Sequence, residues 1–367
     1  MDEKKELEEL LKEQEAEKEP SKKIKSRQEK YMNELNVAAR SSMRSRIITG
    51  LVLIALVLPC IILGNYVFAV LILFSTIICA HEIITTPQSI ERKFSVTVSI
   101  ATYLMMLVTV FYILFKENML NLSESVRNGT PYFFDLAFGG PQFSLPTFFI
   151  CVGFFFFAVL VDKKFTVADA FYLITMIIIV GIALQAILFL RYAPFYYSES
   201  IVGVKYTTVD APYYFKYGHS ICLLVFLFLG TCMNDVGAYF IGVLFGKHKF
   251  APRISPKKTW EGTIGGVVVS FACSFGFAIA LAANGYPILG FMTADKWYYI
   301  ALLAILMPIF GTFGDLLFSA IKRFYGIKDF GTILKGHGGM LDRLDSTITN
   351  AIVISLLVEL LQYWVCG

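Results

Sequence analysis

Charged residues are scarce in this chain. They make up 16% of its 367 residues, whereas apolar residues make up 56% and Phe alone counts 34. A soluble globular protein carries about 25% charged residues. Residues 47–367 hold only 20 basic and 17 acidic side chains. For that part of the chain we therefore exclude a soluble enzyme, a disordered chain, a coiled coil and a free-standing nucleic-acid-binding protein.

Several short motifs are also absent. The sequence has no CxxC, and its seven cysteines lie almost entirely in apolar runs, which favours small buried side chains over a disulfide framework or a zinc site. It has no Walker A loop, GxSxG elbow, HExxH or Rossmann fingerprint. The glycine-rich stretch 262–266 enters an apolar run, so we interpret it as helix packing and not as a nucleotide loop.

Apolar runs near 20 residues match the thickness of a bilayer core, and they predict an all-α, polytopic integral membrane protein with about nine transmembrane helices. The predicted spans are Ile47–Leu63, Val67–Ile84, Phe94–Phe115, Thr147–Val161, Val167–Leu190, Ser220–Phe245, Thr263–Ala283, Trp297–Ile321 and Thr347–Val365. We expect three regions: a polar cytoplasmic tail at 1–46, N-terminal membrane helices at 47–219, and a membrane catalytic region at 220–367.

The distribution of basic residues predicts the orientation. With the tail inside, the inner loops contain 14 Lys and Arg residues and the outer loops contain 6. This asymmetry follows the positive-inside rule. It places the two long basic loops, 246–261 and 322–346, on the cytoplasmic side.

Asp235 begins a polar segment inside the sixth predicted span. Asp235, Tyr239 and Gly242 share one helical face, and the following loop supplies lysines, hydroxyls and backbone amides before a new helix, as a polyphosphate site would. A positive-inside loop with a Ser-Pro turn explains the same residues equally well. The candidate binding residues are Asp235, Tyr239, Ser255, Lys257, Lys258, Thr259 and Glu261.

Asp315 begins a second polar segment. It shares a helical face with Ser319 and Lys322, and Asp342 and Asp345 lie one turn apart at the start of the last helix. Carboxylates and a hydroxyl suit Mg²⁺, which usually also binds substrate phosphates. The alternative is a charged loop with a helix cap. The cations able to neutralise phosphate are Lys322, Arg323, Lys328 and Arg343, and a His337-Gly338-Gly339 turn lets the backbone approach a ligand closely.

The run from Ser319 to Asp345 resembles the signature of the phosphatidate cytidylyltransferase (CDP-diacylglycerol synthase) family. Every charged position and the His-Gly-Gly turn match, and Lys335 stands where the family usually has Pro. The segment from Asn234 to Gly262 is similar to the family's second conserved block. The resemblance is strong over 220–365 and amounts to general hydropathy over 47–219.

The resemblance implies transfer of CMP from CTP to phosphatidate in phospholipid biosynthesis, with release of pyrophosphate. It implies a multi-pass membrane protein among membrane lipids (in the inner membrane of a bacterial host) with a cytoplasmic active site and no nucleic-acid partner; a homodimer is left open. The implied Mg²⁺ ligands are Asp315, Ser319, Asp342 and Asp345. The implied catalytic residues are Asp315, Asp342, Lys322, Arg323, Lys328, His337 and Arg343, and Gly338 and Gly339 join the binding residues.

Two alternatives remain at this point. A CTP-dependent kinase of a polyprenol or phytol-type alcohol would release CDP instead of pyrophosphate. A transporter would also place acids inside helices, but it predicts internal repeats, which the sequence does not show.

Overall fold

The structure is a computed structural model that describes residues 50, 52–53, 55–116, 145–201, 219–289, 291–333 and 338–366. Residues 56–334 and 338–367 form one compact unit, and every contact described below lies within it. The described residues from 50 to 55 are helical and belong to the other unit.

Long helices make up most of the compact unit. A helical stretch ends at residue 63, before Gly64, and short 3₁₀ turns lie at Thr86–Ile90 and Ala294–Lys296. The long helices are α1 Asn65–Thr85, α2 Val96–Lys116, α3 Leu145–Val161, α4 Val167–Ile201, α5 His219–Phe245, α6 Trp260–Ala283, α7 Trp297–Phe324 and α8 Leu341–Cys366.

In the described part of the chain, six helices are long and apolar enough to cross a membrane, and two shorter apolar helices accompany them. This confirms the all-α polytopic class. The count of nine spans, their orientation and the division at residue 219 stay predictions. Several boundaries differ by a few residues from the predicted spans, and two differ most: α4 continues to Ile201 instead of ending at Leu190, and α8 begins at Leu341 instead of Thr347.

Helix α4 lies at the centre of the unit. It is apolar on all sides, which is typical of a buried helix, and Leu173, Val180 and Leu184 are almost completely buried. It contacts α1, α2, α3, α5 and α8. The helices that precede the polar segments are thus packed against two of the helices that carry them.

Helices α5 and α6 pack closely because glycines face each other. A Cβ atom on Gly262 would lie 2.8 Å from the carbonyl oxygen of Ala238 and 3.0 Å from the Cα of Gly242. A Cβ on Gly266 would lie 2.7 Å from the carbonyl oxygen of Asn234. These distances are too short for any side chain, so the interpretation of this stretch as helix packing is confirmed.

A short antiparallel hairpin joins α5 to α6, and the sequence analysis did not predict it. Its strands are β1, Lys249–Ala251, and β2, Ser255–Thr259, with Lys249 opposite Thr259 and Ala251 opposite Ser255. The rings of Phe250 and Trp260 meet edge to face with their centroids 4.5 Å apart. The hairpin gives the first basic loop a defined shape.

Six cysteines are free thiols: Cys60, Cys79, Cys151, Cys222, Cys232 and Cys273. Cys79 and Cys151 are buried as expected, but Cys232 on α5 is exposed, so the prediction of burial is wrong for Cys232.

Candidate active site

Three carboxylates meet from three helices. Asp235 on α5, Asp315 on α7 and Asp345 on α8 lie close enough to repel one another electrostatically. They meet because α5, α7 and α8 pack together. Like charges at such range need cations or ligands to offset their repulsion.

Cations lie among these carboxylates. Lys258 Nζ, at the end of β2, lies 2.5 Å from Asp315 Oδ2. Lys258 and Arg343 also attract Asp235, and Lys322 attracts Asp345. The fold therefore joins the two polar segments of the sequence into one group. We call Asp235, Lys258, Asp315, Lys322, Arg343 and Asp345 the charged cluster.

Asp315 stays accessible within the charged cluster. Its Oδ1 accepts a hydrogen bond from Ser319 Oγ at 3.2 Å, one helical turn away, and its side chain is 26% exposed. Ser319 is buried behind it. A ligand arriving from the open side would meet the carboxylate of Asp315 and the ammonium group of Lys258 together.

Asp342 has a different environment. It is buried, and its Oδ1 accepts a hydrogen bond from Lys322 Nζ at 2.8 Å. Its Oδ2 accepts from the backbone N–H groups of Phe330 at 2.7 Å and Gly339 at 2.9 Å. Both carboxylate oxygens thus already serve the protein, and Asp342 fixes Lys322 and the chain around it. The metal role given to Asp342 stays a prediction.

Glu82 makes contacts that were not predicted from the sequence. Its carboxylate, on α1, accepts hydrogen bonds from the backbone N–H groups of Met340 and Leu341 at the start of α8. The only sign of it in the sequence is an acid within an apolar run, because its partners lie about 260 positions further along the chain.

Two predicted binding residues have structural partners. Glu261 accepts hydrogen bonds from the backbone N–H groups of Lys247 at 3.1 Å and His248 at 3.2 Å, and it contacts the His248 ring at 2.6 Å. Thr259 is buried and caps α6, accepting from Gly262 N at 3.2 Å. Both residues shape the hairpin, and their substrate contacts stay predictions.

The remaining predicted residues have different environments. Arg323 donates to the carbonyl oxygens of Ile254 at 3.3 Å and Ile327 at 3.1 Å, so it ties the hairpin to the end of α7. Gly338 has a φ of +85°, which favours glycine. Tyr239, Lys257 and Lys328 are exposed, Ser255 is half-buried in β2, and His337 lies outside the described residues.

Buried amides link the helices behind the charged cluster. Asn234 Nδ2 on α5 donates to Thr312 Oγ1 on α7 at 3.3 Å, and Asn350 Nδ2 on α8 donates to Thr231 Oγ1 on α5 at 2.8 Å. Hydrogen bonds of this kind connect helices in membranes. They hold α5, α7 and α8 in the arrangement that brings the carboxylates together.

The fold and the site define a polytopic helical membrane protein with one cluster of acids and bases beside apolar helices. A profile of the cytidylyltransferase family matches residues 44–361, which is most of the sequence. The chain belongs to the cytidylyltransferase family.

Individual relatives carry a more specific name. A phosphatidate cytidylyltransferase of Mycobacterium leprae is 40% identical over 144 residues, which cover 39% of this chain and 41% of the relative. One from Mycobacterium tuberculosis strain H37Rv is 39% identical over 135 residues, covering 37% and 38%. One from Brucella suis biovar 1 is 36% identical over 162 residues, covering 44% and 54%. The chain thus spans between about two fifths and half of these relatives' lengths.

Proposed function

We propose that the protein transfers CMP from CTP to phosphatidate, giving CDP-diacylglycerol and pyrophosphate. The observation that carries the proposal is the charged cluster, in which carboxylates from α5, α7 and α8 interact with Lys258, Lys322 and Arg343. Membership of the cytidylyltransferase family and the printed name of the relatives support the same reaction.

The cations of the charged cluster reduce the electrostatic repulsion that opposes this reaction. Two anionic substrates must approach each other, and charge then spreads over the transferring phosphoryl group. Lys258, Lys322 and Arg343 offset the repulsion, and groups held in place before the reaction stabilise that charge better than water does. The phosphate of phosphatidate is already ionised, so positioning matters more than a general base.

The residues present fit Mg²⁺. In the described part of the chain no three His, Cys, Asp or Glu side chains are arranged to hold a metal ion alone. Mg²⁺ needs only one or two protein carboxylates when substrate phosphates supply further ligands. Asp315 and Asp345, with the hydroxyl of Ser319, would hold it. Bound there, it would neutralise charge on the phosphates.

The setting follows from the same arrangement. The basic loops predicted to lie inside carry Lys258, Arg323 and Arg343, so we place the charged cluster on the cytoplasmic side, where CTP is available. Phosphatidate would enter from the surrounding membrane lipids. The proposal makes no choice between a monomer and a homodimer.

The test is the identity of the products. Purified protein in detergent micelles with phosphatidate, CTP and Mg²⁺ should form CDP-diacylglycerol and release pyrophosphate, and omission of Mg²⁺ should stop the reaction. Release of CDP with a polyprenol or phytol-type alcohol would support the kinase instead. Absence of both reactions, with substrate movement in vesicles, would support the transporter.

A further inference from the structure

Glu82 lies almost completely buried near the end of α1, at 1% exposure. Its Oε1 accepts a hydrogen bond from Met340 N at 2.7 Å and its Oε2 accepts one from Leu341 N at 2.8 Å. The first N–H groups of a helix have no partner inside that helix, and a carboxylate at a helix N-terminus is electrostatically favoured. A residue from the N-terminal half therefore caps α8.

The contacts of Glu82 continue those of Asp342. Asp342 accepts from Gly339 N, the residue just before the pair bound by Glu82. Three successive N–H groups are thus bound by two carboxylates, one from α1 and one from α8. These N–H groups are occupied by the protein, so the phosphates of a substrate would depend on side-chain cations such as Lys322.

Two glycines of the second polar segment are fitted to Glu82. A Cβ atom would lie 2.6 Å from Glu82 Oε1 at Gly331 and 2.5 Å from it at Gly339. Any larger residue at either position would displace the carboxylate. Gly339 was expected to bring the backbone close to a ligand, and in the structure it brings the backbone close to Glu82.

The contacts connect Glu82 to the charged cluster in two steps. The start of α8 carries Asp342, which holds Lys322 Nζ at 2.8 Å, and Arg343 and Asp345 follow within one turn of it. A small shift of Met340 and Leu341 would move all of these groups together. Displacement of catalytic groups by about 1 Å can cost about 100-fold in rate.

We infer that Glu82 is a positioning residue for phosphoryl transfer: it fixes the start of α8 and thereby the alignment of Lys322, Arg343 and Asp345. The inference rests on the proposed function. Glu82 contacts no substrate in this scheme. It acts through the backbone of Met340 and Leu341, so its loss should lower turnover much more than it weakens substrate binding.

The experiment compares two glutamates by the same substitution. Glu82→Gln keeps the size of the side chain but replaces one acceptor by an NH₂ group that faces a backbone N–H. Glu359→Gln is the matched control, because Glu359 is a second glutamate within an apolar helix. It lies in α8, 14 residues beyond Asp345, about 20 Å along the axis. Full-length protein is purified in both cases, and folding is checked by thermal unfolding.

We expect Glu82→Gln to lower kcat about 10- to 100-fold, with KM for CTP and for phosphatidate within about threefold of the original, because the cations that bind phosphate remain. Glu82→Asp keeps two acceptors and should recover part of the loss. Hydrogen exchange should accelerate at residues 338–342 in Glu82→Gln and stay unchanged in Glu359→Gln.

Three results would overturn the inference: a kcat within twofold of the original, a loss in KM alone, or equal losses in both glutamine variants. If Glu82→Gln does not fold, Gly331→Ala must show the kcat loss, because its added methyl group would lie 2.6 Å from Oε1 of the same carboxylate. A wild-type protein that forms no CDP-diacylglycerol would overturn the proposed function. Faster hydrogen exchange at residues 338–342 in Glu82→Gln would still show that Glu82 orders the start of α8.

Discussion

Lys258 Nζ lies 2.5 Å from Asp315 Oδ2, and this contact ties the hairpin between α5 and α6 to the middle of the site on α7. Both side chains are about one quarter exposed. A pair this accessible adds little to stability, about 0.2–1 kcal/mol. Its importance lies in placing a cation of β2 beside a carboxylate that stays partly exposed.

Lys258→Met should therefore reduce activity without unfolding the protein. We expect a fall in kcat/KM of about 100-fold, the scale of one lost electrostatic contact in a transition state, with a change in unfolding free energy below about 1 kcal/mol. Steady-state kinetics and thermal unfolding measure the two effects.

Lys249→Met is the matched control for this prediction. Lys249 lies in β1 of the same hairpin, is exposed, and is paired with Thr259. The substitution Lys249→Met removes one positive charge from the same hairpin, as Lys258→Met does. Equal losses of activity in Lys249→Met and Lys258→Met would mean that general positive charge matters and the contact with Asp315 does not.

Asp315→Asn and Asp342→Asn should separate function from stability. Asp315→Asn removes a charge that repels Asp235 and Asp345, so we expect unchanged or slightly higher stability and about 100-fold lower activity. Asp342→Asn leaves the buried Lys322 without its counter-charge, which costs about 3–5 kcal/mol. Unfolding curves and turnover numbers at several Mg²⁺ concentrations measure both. Equal stabilities of the two variants would contradict the environments described for them.

Because α5 and α6 pack closely, we expect Gly266→Ala to lower the stability of the protein. In Gly266→Ala the new methyl group would lie 2.7 Å from the carbonyl oxygen of Asn234. Overpacking of this kind costs about 1–3 kcal/mol. Gly276→Ala on the same helix is the control, because no atom lies within 4 Å of the added methyl group. Unfolding in detergent should show a loss only for Gly266→Ala, and equal effects would argue against close packing.

Much of this molecule could be predicted from its sequence because bilayer thickness constrains apolar runs. The predicted and observed starts of α7 coincide at Trp297, and those of α4 coincide at Val167. The residue types of the charged cluster were also predictable, since acids beside apolar helices are costly and rarely accidental.

The remaining features depend on contacts between distant segments. The hairpin at 249–259 has a proline and two lysines in its second strand, a composition that does not favour strands. The early start of α8 at Leu341 depends on a cap supplied by Glu82 from α1. No local pattern around Leu341 contains that information, because the capping carboxylate lies so far away along the chain.

The topology prediction concerns the side of the membrane on which the site lies. Single cysteines at Asn128 and Lys335, introduced into a cysteine-free background, should react on opposite sides of the membrane in intact cells. The position at 128 should label with an impermeant reagent, and the position at 335 should label only after permeabilisation. Labelling of both from the same side would contradict the orientation that we predict from the 14 inner and 6 outer basic residues.

The position of a phosphorus label tests the central claim most directly. Purified protein is given phosphatidate with CTP labelled either at the α-phosphorus or at the γ-phosphorus, and the label in the lipid product is measured. CMP transfer predicts lipid labelled from the α position, with the γ label released in pyrophosphate. Label entering lipid from the γ position, with release of CDP, would contradict the account.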